Sequence, residues 1–93
     1  MKEILSNSLI SRQKKIVFNK IDDEIVMMNI ENNEYYGTDN IGARIWEIIE
    51  KPITFKGLVD LVLDEYDVTE TNCVEDMKSF LYSLYEKNII EII

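Results

Sequence analysis

The chain reads as an α+β fold, a three-stranded antiparallel sheet first and three helices after it. Three observations predict this. Residues 14–37 contain three runs of β-branched, aromatic and Met residues, separated by Asp22-Asp23 and by Glu31-Asn32-Asn33. Residues 41–87 change to apolar positions recurring every three or four residues, the period of a helix. All strand signals of the first kind precede all helix signals, and strands followed by helices indicate α+β architecture.

Residues 1–13 form a weakly patterned lead-in, in which Ile4, Leu5, Leu9 and Ile10 can make a short strand. KKIVFNKI at 14–21 and EIVMMNI at 24–30 are the first two strands of a meander, and EYYG at 34–37 is the third. Asp39 or Asn40 can cap a helix over 41–50, where Ile41, Ile45, Ile48 and Ile49 recur beside Trp46. Lys51-Pro52 ends it, because a residue before proline is pushed out of the helical region. Thr54 can cap a second helix over 55–66, and Thr71 or Asn72 a third that runs to about Lys87. Asn88 suits a left-handed helix stop. The tail 89–93 is apolar and is expected to dock or to pair as a strand. The sheet must pack one face on the helices, which leaves its last strand, Glu34–Gly37, as an open edge.

Composition narrows the function. Ninety-three residues suit a single domain, residues 1–93. Surface scaling gives roughly 5,600 Å² folded against roughly 16,000 Å² unfolded, enough burial for one modest core. No apolar run approaches the ~18 residues of a membrane span, and no basic-then-apolar signal opens the chain. A cytoplasmic protein is expected. The single cysteine, Cys73, excludes an internal disulfide. There is no histidine, which removes the commonest general base and metal ligand. No metal, cofactor or catalytic residue is therefore expected. With 10 basic against 18 acidic residues, the net charge is −8, the wrong sign for gripping phosphates.

The remaining features have a functional and a plain reading. Asp22-Asp23-Glu24 and Asp64-Glu65 are solvated charge rather than metal ligands, since the alternating ligands and glycine of a calcium loop are missing. Cys73 opens a helix, where a thiol can be activated, but no basic residue adjoins it in sequence. It reads as a small core or groove residue. Arg12, Lys14, Lys15 and Lys20 flank strands, where lysine discourages edge pairing. A winged-helix DNA reader is the alternative of another class. Its third helix would have to approach phosphates, yet residues 60–93 carry nine acids against Lys78 and Lys87. A small hydrolase would need an activated nucleophile, and none is visible. The third helix is apolar on two stripes, Met77, Phe80 and Leu84 on one and Val74, Leu81 and Tyr85 on the other. Either the helix is deeply buried, or it forms a groove with the third strand that accepts an extended peptide as a fourth strand.

The ordered set Tyr36-Gly37, Gly42-Ala43-Arg44-Ile45-Trp46, Glu65-Tyr66-Asp67-Val68, and Asp76 through Ile90-Glu91 resembles the PqqD-like family over roughly residues 14–93. The chain departs from the family pattern at Thr38-Asp39, at Ile41 and at Asn88, which touch a helix cap and a helix stop. The resemblance implies a winged-helix-like fold without catalysis, a recognition element for ribosomally made peptide natural products. Such proteins bind the leader segment of a precursor peptide and deliver it to a processing enzyme. A free-standing chain of this length looks most like those of lasso-peptide pathways, which work with a leader peptidase and a cyclase. A partner of a radical-SAM maturase, as in quinone-cofactor or sactipeptide pathways, is the alternative. The resemblance places the leader beside Glu34, Tyr35, Tyr36 and Gly37. On the third helix it would follow Cys73, Met77, Phe80 and Leu84, spaced i, i+4, i+7, i+11.

Overall fold

The computed structural model describes residues 2–93; Met1 of the expected single domain lies outside the described residues. The elements run β1 (Leu9–Arg12), β2 (Ile16–Ile21), β3 (Glu24–Asn29), β4 (Glu34–Gly37), α1 (Asn40–Ile48), β5 (Ile53–Thr54), α2 (Phe55–Glu65), α3 (Glu70–Glu86) and β6 (Ile90–Ile92). The meander is present as an antiparallel sheet in the order β2-β3-β4. Asp22 takes φ 56° in the two-residue β2–β3 turn and Asn33 takes φ 59° before β4. Asp and Asn tolerate this left-handed region better than most residues. The side chains of Asn29 and Asn32 accept from the N–H groups of Glu31 and Glu34, both at 2.9 Å, and tie the second turn together.

Three expectations need correction. The first expected strand starts at Ile16 rather than at 14, because Lys15 turns the chain with φ 61°. Next, the sheet is not alone. The lead-in, the two residues before α2 and the tail form a second antiparallel sheet in the order β5-β1-β6. Ile10 faces Ile53 on one side and Ile92 on the other. A lead-in strand and a paired tail are as expected; β5 and the pairing of the two distant segments are not, because a two-residue strand leaves little pattern and the partners lie some 80 positions apart. Finally, α3 is capped by Thr69, whose hydroxyl accepts from Asn72 N–H at 3.3 Å, not by Thr71 or Asn72. The earlier start puts Glu70 in the first turn, where a carboxylate meets the positive end of the helix dipole.

Three other helix ends follow the expected chemistry, while α1 stops at Ile48, two residues short of the expected 50. Asp39 caps α1 by accepting from Gly42 N–H at 2.8 Å, and Thr54 caps α2 by accepting from Gly57 N–H at 3.1 Å. Asn88 (φ 57°) stops α3. Its N–H donates to Tyr85 O at 3.0 Å and Ile89 N–H to Leu84 O at 2.9 Å, the paired bonds of a Schellman stop. Ile89 and Leu84 are both fully buried, as that motif favours.

The core lies between the inner face of β3 and the helices. Ile25, Met27, Ile45, Trp46, Ile49, Leu58, Leu81 and Leu84 are all closed to solvent. Trp46 ties the two sheets together. Arg12 of β1 donates to Trp46 O at 2.6 and 3.2 Å, with its guanidinium 4.3 Å from the Trp46 ring. Phe18 of β2 meets the same ring edge-on at 5.6 Å. So Arg12, expected on a strand flank, is a packing residue. Among the described residues no helix is long and apolar enough to cross a membrane.

Candidate peptide-binding groove

Strand β4 lies at the end of its sheet and pairs with β3 alone among the described residues. Its register decides which backbone groups are free. Thr38 N–H donates to Ile25 O at 2.8 Å, so the Ile25–Thr38 pair is hydrogen-bonded. Such pairs alternate along an antiparallel ladder. Tyr36, opposite Met27, therefore turns its N–H and C=O toward β3. Tyr35 and Gly37 turn theirs outward, as a row open to a further strand. Thr38 closes this row: its buried hydroxyl accepts from Ile25 N–H at 3.1 Å and fastens the end of β4 to β3.

The side chains of β4 divide between two faces. Tyr36 is half-buried and meets Phe80 of α3 edge-on, with ring centroids 5.7 Å apart. Tyr35 points the other way and is 68% exposed. Between β4, the first turns of α1 and the outer flank of α3 runs an open groove of about 360 Å³. Tyr36, Ile41, Ile45, Met77 and Phe80 supply its apolar lining, and Asp39, Asp76, Ser79 and Ser83 its polar lining. Gly42 forms part of the wall, where a side chain would crowd its neighbours. A Cβ there would stand 3.0 Å from Thr38 Cβ and 3.2 Å from the Phe80 ring. One end is spanned by an ion pair, Lys87 Nζ to Glu34 carboxylate at 3.2 Å.

Of the expected residues, Tyr36, Met77 and Phe80 meet in this groove, and Glu34, Tyr35 and Gly37 stand on the strand beside it. Cys73 and Leu84 do not reach it; both are buried. The reason lies in the packing of α3. Cys73, Met77, Leu81 and Leu84, at i, i+4, i+8 and i+11, form its buried spine, of which Met77 alone also borders the groove. The groove instead takes the adjoining stripe of Asp76, Phe80 and Ser83, at i, i+4 and i+7. Asp39, Ile41, Gly42, Ile45, Asp76, Ser79 and Ser83 also line the groove and carry no such expectation from sequence. The signal for α1 was present: only Thr38 and Asp39 separate β4 from the helix, so its first turn must lie beside the edge. Ser79 and Ser83, small polar residues flanking Phe80, were the signal on α3.

Burial pushes the Cys73 thiol up, and the charges of Asp76 and Glu70 push it further, so it stays protonated near neutrality. Glu65 of the Asp64-Glu65 pair is held by Arg44 through two bonds of 2.8 and 3.0 Å. That bond lowers the Glu65 carboxyl below its usual range. Among the described residues no group of three or more His, Cys, Asp or Glu is placed to hold a metal ion.

Two solved structures share this fold. TbiB1, solved in complex with the TbiA(beta) leader peptide, superposes with a TM-score of 0.79 at 31% identity, over 87% of this chain and 94% of that one. A lasso peptide synthetase B1 complexed with its leader peptide superposes with a TM-score of 0.74, over 88% and 96% of the two chains. At 18% identity that match speaks for the fold alone. A search of curated protein sequences gave no significant match. The family model described as coenzyme PQQ synthesis protein D (PqqD) matches residues 24–90, from the start of β3 through β4, the groove and α3 to β6. Motif order, fold and family model thus coincide over the segment that builds the groove, and the chain belongs to the PqqD family.

Proposed function

We propose that the protein binds the leader segment of a ribosomally made precursor peptide and delivers it to a processing enzyme. One observation carries this reading: among the described residues, a strand edge without a partner runs directly beside a groove lined by both apolar and polar side chains. A leader strand added to β4 would bond to the backbone of Tyr35 and Gly37, which gives affinity with little sequence demand. Alternate side chains would enter the groove at Tyr36, Met77 and Phe80, which gives selectivity. The chain acts by binding, with no catalysis of its own. Purified alone it should neither cleave nor cyclise a precursor, and chelators should change nothing. Metal-dependent turnover that survives rigorous purification would refute this.

The likeness to TbiB1 supports the lasso-peptide setting, with a cytoplasmic leader peptidase and cyclase downstream. The family model, named for coenzyme PQQ synthesis, supports a second reading, service to a radical-SAM maturase. Isotope-edited NMR with saturating candidate leader peptides tests the binding mode. The amides of 34–37 and of the outer flank of α3 should shift. If the shifts cluster on the first helix or on 12–20 while β4 stays unmoved, strand addition is wrong. Adding the chain to each candidate enzyme with its precursor separates the two settings, since only the true partner should gain turnover.

A further inference from the structure

Gly37 has no need to be glycine in the chain taken alone. No glycine in the protein has positive φ, so left-handed geometry does not explain it. A Cβ built on Gly37 meets nothing within 4 Å, whereas at Gly42 it would crowd Thr38 and Phe80. Glycine weakens a strand, and one at an edge often marks close approach by something else. What approaches follows from register. Gly37 shares the outer face with Tyr35, opposite to the groove face of Tyr36. Across β3 it faces Val26 in a non-hydrogen-bonded pair, the kind in which side chains stand closest. Val26 remains 45% exposed. The missing side chain thus leaves an open notch at the sheet edge beside Val26, and the backbone of Gly37 turns toward an incoming strand.

We propose that this notch receives a large aromatic side chain of the leader, from the residue paired with Gly37. The proposal rests on strand addition at β4. Paired residues on neighbouring strands point to the same face, so that side chain lies across the glycine and covers Val26. An aromatic ring over an edge glycine replaces the packing that glycine lacks. The residues on either side of it point into the groove beside Tyr36 and Phe80. The recognised segment is therefore apolar–aromatic–apolar, with its central residue read by Gly37 on the outer face.

The probe is a phage-displayed library of random dodecapeptides, panned on the purified full chain, with binders mapped by amide shifts. Selected peptides should carry an aromatic residue between two apolar ones. Replacing that aromatic by Ala should weaken binding to the wild-type chain about tenfold, the size of a modest hot spot. On Gly37→Val the same replacement should change little, because the valine already fills the notch. Gly37→Val should melt like the wild type, given the open space around it; if it does not, Gly37→Ala serves in its place. The proposal is overturned if no aromatic is selected, or if the aromatic matters equally on both chains. It also fails if Gly37→Val weakens all peptides alike, since glycine would then serve backbone approach only. Should no selected peptide shift the amides of Tyr35, Tyr36 or Gly37, strand addition itself fails, a result distinct from the others.

Discussion

The two sheets of this protein are alike in size and opposite in use. Each has three antiparallel strands. The β5-β1-β6 sheet gathers both ends of the chain and buries Ile10, Ile90 and Ile92. The β2-β3-β4 sheet is built from one local meander, and Val17, Ile21, Val26 and Tyr35 on its outer face stay exposed, at 45–68%. One sheet spends its side chains on closing the fold. The other keeps an edge and a face for something outside it. Stability and recognition are thus assigned to different strands, so substitutions should separate them.

The largest effect is expected where both sheets lean on one residue. Trp46→Ala should cost about 3–5 kcal/mol as a large-to-small core change, and denaturant melts check it. A near-neutral result would show that Arg12 and Phe18 hold the sheets without the indole. Ile90→Ala, in the terminal sheet, should cost about 2–5 kcal/mol of stability. Leader affinity of the molecules still folded, measured by calorimetry, should not change. A loss of affinity would join the two sheets into one functional unit.

In the meander the balance should invert. Phe80→Ala should weaken leader binding by roughly 1–3 kcal/mol, most for leaders with the bulkiest anchor. Because Phe80 is half-buried, its melting curve must be compared before the loss is read. Tyr35→Pro removes one outward N–H and should weaken every leader by about 1 kcal/mol, the net worth of one hydrogen bond. Strong discrimination among leaders by this variant would argue that β4 reads side chains rather than backbone.

The smallest effect belongs to neither sheet. Glu65 has a depressed carboxyl pKa because of its bond to Arg44. Its stabilisation is present above the unfolded pKa and is lost as pH falls through the folded value. It should fade only at acid pH, and the Glu65 carboxyl carbon should titrate below the ordinary Glu range by NMR. An ordinary midpoint there would remove the Arg44 pair from the solution structure.

Much of this design is legible in the residues. The Asp22-Asp23 turn, the helical spacing around Trp46, the Thr54 cap and the Asn88 stop each act within a few residues, and each appears where its chemistry predicts. The edge position of β4 was also legible, since a meander followed by helices must end its sheet there. The groove was half legible. Of the residues expected beside a leader, Tyr36, Met77 and Phe80 line the groove, whereas Cys73 and Leu84 are core.

That division has a physical cause. Turns, caps and periodicity depend on contacts between near neighbours, which the residue order itself supplies. An amphipathic pattern says that a helix has an apolar side, but α3 is apolar over more than one stripe. Which stripe turns inward depends on what packs against it, here α2 and β6. The second sheet depends even more on distance along the chain, because Ile10 pairs with Ile92 and all three helices lie between them in sequence. Local chemistry chose the elements and their ends; long-range packing chose which face of α3 became core and which became a groove.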